Sequence, residues 1–323
     1  MTADSPPPAS GREGEPAPAR PPDACAEAAH GALSANTERA RRSDLRIFAE
    51  WCAARGRPAL PDDPGTVAAF VDSMAETRAP ATVRRYVASV AAARRAAGEG
   101  GNGTAEPVRL ALQRMHRRKG RRQEQAKGLT FELRQRMLEA AGDRLIDVRN
   151  RALLAMAYDT LLRRSELVAL EVTDIVEETC GAATVLVRRS KADPEGCGET
   201  VYLAPESMEL VRTWLRRSGV AGGRVFRSLS GGPPGDGLDA SQVPRIFKAM
   251  ARRAGLPEET VARISGHSAR VGAAQDMVAE GIGMAAILQA GRWKSPAMVN
   301  RYGERLLASR SGAAQLARRQ RRG

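Results

Sequence analysis

Apolar residues recur at three- and four-residue intervals along most of this chain, and two-residue alternation surfaces only between about residues 170 and 203. A chain patterned this way must fold mainly as packed helices with a small sheet. In SANTERARRSDLRIFAEWCAARG, Leu45, Phe48 and Trp51 share one helical stripe while Arg39, Arg41 and Arg42 fall largely elsewhere. Gly56 and Pro58 supply a stop. Asp63-Pro64-Gly65 opens a second helix with Val67, Phe70, Val71 and Met74 inward, and Pro80 starts a third with Val83, Val87 and Val90 inward. A fourth follows Glu106-Pro107 and carries Val108, Leu110, Leu112 and Met115.

The later part mixes both periods. Helices are expected at 131–141, 146–160 and 164–169, then three strands at 170–174, 184–189 and 199–203. A helix at 205–217, a short extended piece at 223–226 and the loop SGGPPGDG at 230–237 come next. The remainder reads as helices at 240–253, 268–279, 283–290 and 295–308. A length of 323 residues suits two domains. The expected division is a disordered tail over 1–33, a helical domain over 34–117, a basic linker over 118–128, a mixed α/β domain over 129–308 and a basic tail over 309–323. The fold class is therefore mainly α with a small antiparallel β-sheet.

Lys and Arg number 51 against 37 Asp and Glu, a net charge of +14. That excess fits a polyanion, whose bound counterions are released on association. Charge alone does not separate DNA from RNA or an anionic membrane. No stretch approaches the apolar length of a membrane span, and the start MTADSPPPAS lacks the basic and apolar regions of a secretory signal. Cys25, Cys52, Cys180 and Cys197 form no CxxC pair, so they read as reduced thiols rather than zinc ligands. A two-metal nuclease finds no compact carboxylate or histidine cluster.

Four separated stretches carry chemistry together: TLLRRSEL at 160–167, RRSKAD at 188–193, GHSAR at 266–270 and AGRWKSPAMVNRY at 290–302. Arg163 and Glu166 lie three apart, the spacing of an ordinary ion pair or of a carboxylate holding an arginine for a phosphate. His267 and Arg270 repeat that spacing after a glycine that marks a helix start, where unpaired N–H groups favour an anion. Arg163 and Arg270 can form a two-sided clamp on one phosphodiester, because guanidinium forks donate paired bonds and stay protonated. Lys191, in a polar hairpin, suits a general acid toward a leaving 5′ oxygen. Tyr302 needs its phenolate stabilised or its proton accepted, which the arginines and His267 can do. Trp293 braces the site with its ring, its indole N–H free to meet a phosphate. Among the other tyrosines, Tyr158 and Tyr202 suit core or support roles, and Tyr86 follows a basic pair that suits DNA contact.

These motifs resemble those of the tyrosine recombinase (phage integrase) family over roughly residues 34–315, most strongly in AYDTLLRRSEL, GHSARVGAAQDM and ILQAGRWKSPAMVNRY. The resemblance implies that Arg163 and Arg270 are the catalytic arginines, Glu166 the acidic support and Lys191 the hairpin lysine. It further implies that His267 opens the His-x-x-Arg element, that Trp293 stands where many relatives have histidine, and that Tyr302 is the nucleophile. It implies a helical core-binding domain and a catalytic domain closing as a C-shaped clamp on double-stranded DNA with inverted-repeat half-sites. A dimer per site, a tetramer joining two sites and a docking role for residues 309–323 complete the picture. No cofactor, ATP or metal is expected, nor any membrane, and a cytoplasmic, nucleoid-associated protein of bacterial or phage origin follows. Whether accessory proteins take part is not written in these residues. Arg84, Arg85, Arg114, Arg118, Arg121, Arg164, Gln242 and Arg245 are the candidate DNA contacts, reading bases or holding phosphates. Two other readings stay open at this point: a type IB topoisomerase-like relaxing enzyme and a DNA-binding regulator that does not cut.

Overall fold

The computed structural model describes residues 35–59, 63–98, 105–122, 124–188, 196–229 and 232–322. The tail expected over 1–33 and the hairpin residue Lys191 lie outside the described residues. The chain divides into two compact units, Met1–Gln123 and Glu124–Gly323.

Every regular element among the first unit's described residues is a helix: α1 (Ala35–Ala53), α2 (Pro64–Thr77), α3 (Pro80–Ala96) and α4 (Glu106–Lys119). Proline opens α2, α3 and α4 where a missing N–H costs nothing, and Asp63 caps α2 by accepting from the Thr66 N–H at 3.1 Å. The expected stripes meet around Phe70, whose ring lies 5.0 Å from Phe48, 5.4 Å from Trp51 and 5.9 Å from Tyr86. Val67, Val71, Val83, Val87, Val90, Val108 and Met115 complete this core. Two expectations change. Leu110 points outward at 41% exposure while Ala111 takes the buried position, because the inward face of α4 runs through Val108, Ala111 and Met115 at helical spacing. Tyr86 is packed in the core rather than offered to DNA, since Arg84 and Arg85 occupy the outward side of α3.

The second unit is built on a buried helix. In order come α5 (Phe131–Glu139), α6 (Leu145–Asp159), α7 (Arg164–Ala169), a 3₁₀ turn at Val172–Asp174, and strands β1 (Ile175–Glu177), β2 (Ala183–Val187) and β3 (Glu199–Leu203). Then follow α8 (Pro205–Ser218), α9 (Gln242–Arg253), α10 (Glu258–Ala262), α11 (Ser268–Ala279), α12 (Met284–Gly291), α13 (Ala297–Tyr302), α14 (Glu304–Ser309) and α15 (Gly312–Arg319). Helix α6 buries Ala152 through Ala157 without a break and packs against α8 and α11. The sheet is antiparallel in the order β1-β2-β3, with Val185 opposite both Ile175 and Val201.

The strand expected at 170–174 is corrected. Asp174 turns back to accept the Glu171 N–H at 2.9 Å, which closes a 3₁₀ turn and delays the first strand to Ile175. The extended residues before that turn instead make an isolated antiparallel bridge, Glu171 to Arg224. The single helix expected at 295–308 is divided at Gly303 into α13 and α14, and the short α10 was not foreseen. Tyr202 is also corrected: β3 alternates, so with Val201 and Leu203 inward its ring faces out at 60% exposure.

Helix α11 approaches the chain before α5 so closely that only hydrogen fits between them. The Leu129 N–H donates to the Ser268 carbonyl at 2.8 Å, and a Cβ on Gly272 would stand 1.8 Å from the Leu129 carbonyl oxygen. Backbone cannot yield there as a flexible side chain would. Gly272→Ala is therefore expected to cost about 1–3 kcal/mol, read from the urea unfolding midpoint. Gly222→Ala, where nothing lies within 4 Å of the added atom, is expected to leave that midpoint nearly unchanged.

Candidate active site

The turn between α6 and α7 places the first arginine. Leu161 adopts the left-handed φ of 50°, rare for a branched side chain, and both it and Leu162 are buried. This bend ends the chain's run along α6 and delivers Arg163 as the cap residue of α7. Glu166 answers from the first turn of α7: its carboxylate accepts the Arg163 N–H at 2.9 Å and the Arg163 guanidinium at 2.6 Å. The spacing read from sequence thus gives a carboxylate that satisfies the cap residue's backbone N–H and an ion pair at once.

His267 caps α11, and Arg270 follows within its first turn. Ser265 and Ser268 lock the approach, Ser268 Oγ accepting the Ser265 N–H at 2.9 Å and Ser265 Oγ accepting the His267 N–H at 3.1 Å. The Arg270 guanidinium is buried and donates to two carbonyls from distant segments, Leu161 and Gly291. Burial, then the charges of Arg163 and Arg292, bring its pKa down to about 10, so it stays protonated at neutral pH. Trp293 covers one face, with the guanidinium carbon 4.5 Å from the ring centroid.

Tyr302 is the last residue of α13. Its ring meets Trp293 edge-on at 5.8 Å, and its carbonyl accepts from the side chain of Gln275 on α11 at 3.0 Å. A patch of Val278, Ile287 and Val299 fastens α11, α12 and α13 beneath it. Burial pushes the Tyr302 phenol above the ordinary tyrosine range, while Arg270, Arg301 and Arg163 pull it back. His267 moves the other way. Desolvation by the surrounding protein, then the charges of Arg270, Arg164 and Arg163, hold its imidazole below the ordinary histidine range against the opposing pull of Glu166.

Arg163, His267, Arg270, Trp293 and Tyr302 line one cavity of about 390 Å³, together with Arg301 and Gln125. Three of the four stretches, far apart in sequence, therefore converge, and the result is an electropositive hollow containing a phenol and an imidazole. Glu166 lies under the cavity rather than in its lining, which fits a supporting carboxylate. Of the candidate DNA contacts, Arg84, Arg121, Arg164 and Arg245 are exposed and Gln242 is half-buried. Arg85 is bound to the buried Asp44, Arg114 to Asp72 and Arg118 to Glu76, so these three meet carboxylates within their own unit. Among the described residues, no group of three or more His, Cys, Asp or Glu is placed to hold a metal ion.

Two residues of this site went unread in the sequence. Arg292 is buried, takes the left-handed φ of 51° at the end of α12, and donates to Glu166 Oε2 as a second guanidinium partner beside Arg163. In a chain with 51 basic residues nothing in its position announced burial. Gln275 lies on the same helix as Arg270, five residues on, within a stretch that looked purely apolar apart from its end. Gly291 is also part of the arrangement, since a Cβ there would stand 2.1 Å from the Trp293 ring.

Comparison with known proteins places the chain. Residues 127–306 match the phage integrase family. The chain is 31% identical over 300 residues to "Recombinase cre" of Escherichia phage P1, covering 87% of each, and 28% identical over 279 residues to an "Integrase/recombinase xerD homolog" of Selenomonas ruminantium, covering 83% of this chain and 81% of the relative. Its fold is that of the XerH site-specific recombinase in a post-cleavage complex with a palindromic difH substrate, at a TM-score of 0.68 and 18% identity over 90% of this chain and 82% of that one. A lambda integrase tetramer on a Holliday junction superposes at a TM-score of 0.59 and 18% identity, covering 87% and 75%. By sequence match and by architecture, the chain belongs to the phage integrase family and is a tyrosine site-specific DNA recombinase.

Proposed function

We propose that this recombinase cuts and rejoins duplex DNA with Tyr302 as nucleophile and Arg163 and Arg270 as the clamp on the reacting phosphate. The single observation that carries the reading is the cavity in which both guanidiniums, the His267 imidazole and the Tyr302 phenol converge. The phenol oxygen attacks phosphorus and its proton passes to His267, whose imidazole, held below the ordinary histidine range by burial and then by the neighbouring arginines, is able to accept it. The bond from phosphorus to the 5′ oxygen breaks, leaving a 3′-phosphotyrosine, and Lys191 delivers the proton to the departing oxygen. Charge building on the phosphoryl oxygens meets donors already fixed in place, the arrangement in which electrostatic stabilisation is largest. Trp293 holds Arg270 and Tyr302 in mutual register through its two ring contacts.

Strand exchange completes the proposal. A 5′-hydroxyl from the partner duplex attacks the phosphotyrosine, restoring one phosphodiester for each bond spent, so no nucleotide energy source enters. Repetition on the second strand pair makes and resolves a four-way junction. The helical unit acts as the core-binding domain and the second unit as the catalytic domain, together closing on inverted-repeat half-sites as a dimer per site and a tetramer in synapsis. Structures of lambda integrase as a dimer on a core site and as a tetramer on a Holliday junction support that assembly. Arg84, Arg121, Arg164, Gln242 and Arg245 are the proposed contacts to DNA, and residues 309–323 the segment that docks on a neighbouring protomer. No described helix is long and apolar enough to cross a membrane; a nucleoid-associated place in the cytoplasm is proposed from the DNA substrate.

Half-sites selected from random duplexes, rebuilt as paired nicked targets, provide the substrate for the test. Tyr302→Phe is expected to abolish the detergent-resistant protein–DNA adduct while keeping most DNA binding, and a normal adduct from this variant removes the assigned nucleophile. Arg163→Ala or Arg270→Ala should slow cleavage about 100- to 1,000-fold, with far smaller effects on binding. Parental cleavage in both variants would end the clamp reading.

The pH dependence has a definite sign. Because His267 gains its proton only below the ordinary histidine range, the single-turnover cleavage rate should hold through neutral pH and fall below about pH 6.5. The rate should climb again on the alkaline side as the raised Tyr302 phenol ionises. In His267→Gln the acid limb disappears, which a rate profile between pH 5 and 9 reads directly.

A further inference from the structure

The Arg292 side chain is 3% exposed and donates to Glu166 Oε2, the oxygen that also accepts the Arg163 N–H, while the Arg163 guanidinium takes Oε1. Its Nε and Nη1 atoms are buried without any hydrogen-bond partner. Glu199 on β3 lies 3.7 Å from Nη1, beyond hydrogen-bonding reach, and its side chain is 44% exposed, so water screens that pair. Glu166, by contrast, is 4% exposed in its side chain and lies between two guanidiniums. A buried arginine held through only one of its three guanidinium nitrogens is an expensive way to secure a carboxylate that Arg163 already holds through two bonds.

We propose that Arg292 is a positioning residue for catalysis, whose charge offsets that of Glu166 so that the Arg163–Glu166–Arg292 cluster faces the scissile phosphate with a net positive charge. With Glu166 paired to Arg163 alone, the two charges would cancel, and the arginine would meet the phosphate as a hydrogen-bonding fork with little field behind it. A second buried cation restores the field without displacing the carboxylate that aims Arg163. The left-handed backbone at 292 makes this possible. It lets the chain leave α12 with Arg292 turned toward Glu166 while the next residue, Trp293, turns to Arg270 and Tyr302. The inference rests on Arg163 serving as a phosphate clamp.

The experiment uses the full chain on the selected nicked targets. Arg292→Met, similar in length and uncharged, should form the adduct at least about tenfold more slowly than the parent while binding half-sites comparably. The decisive arm is Arg292→Met combined with Glu166→Gln. If Arg292 acts by offsetting charge, neutralising Glu166 removes the need for it, and the double variant should cleave faster than Arg292→Met alone. A purely structural role predicts the reverse, since the second substitution weakens the anchor further. Arg292→Gly, whose backbone suits the φ of 51°, is a second charge deletion should the methionine variant unfold at a lower urea midpoint. Parental cleavage by the folded single variants, or a double variant no faster than Arg292→Met, overturns the inference. The Tyr302→Phe arm separates this from the parent reading: an adduct persisting there removes the active-site assignment itself, whereas its absence leaves Arg292 alone at stake.

Discussion

The proposed catalytic cavity hangs on one buried cation. Arg270 reaches from α11 into the space between the turn after α6 and the end of α12, and its two carbonyl acceptors, Leu161 and Gly291, come from those two places. A guanidinium taken from water in this way demands partners, and leaving it unpaired would cost several kcal/mol. The demand works as a lock. Because Leu161 lies just ahead of Arg163 and Gly291 just ahead of Arg292 and Trp293, satisfying one side chain fixes the approach of three others. Gln275 adds the last connection by holding the Tyr302 carbonyl to the same helix.

The sequence carried much of this in its spacing. Helical stripes in the first unit could be read because apolar positions three and four apart have one packing solution, and Phe48, Trp51, Phe70 and Val83 are buried as that pattern requires. The His267–Arg270 pair and Tyr302 were legible because histidine and tyrosine are scarce here, 3 and 4 residues, so each stood out. What escaped was long-range. Arg292 reads as one more surface arginine until the left-handed turn folds it inward. Asp276 accepts from the Tyr158 hydroxyl at 2.5 Å and from the Phe131 N–H at 2.7 Å, joining α5, α6 and α11, and no local pattern encodes such a three-way contact. The misplaced first strand has the same origin, since alternation at 170–174 was genuine and the Asp174 side chain overrode it.

The charge of the chain also resolves into two populations. Some arginines are structural: Arg85 donates through Nε and Nη2 to an Asp44 that is wholly buried and also accepts from Ser89 at 2.9 Å. Arg212 pairs with Glu177 and Arg252 with Glu258 on the surface, where water and salt screen each pair. A net charge of +14 therefore overstates how many cations are poised for a polyanion, since arginines such as Arg85, Arg114 and Arg118 are engaged by carboxylates of the fold itself.

Leu161 and Arg292 share an oddity whose consequence reaches beyond the reaction. Both are non-glycine residues at positive φ; Leu161 itself supplies one acceptor of the Arg270 guanidinium, and Arg292 directly follows Gly291, which supplies the other. Conformations of this kind each store roughly 1–3 kcal/mol, retained only where surroundings over-determine them. Efforts to harden the enzyme against heat will find these loci tempting, because relaxing them adds resilience to the scaffold. The same relaxation frees the two anchoring carbonyls to wander, so a more durable protein obtained that way should be a duller catalyst.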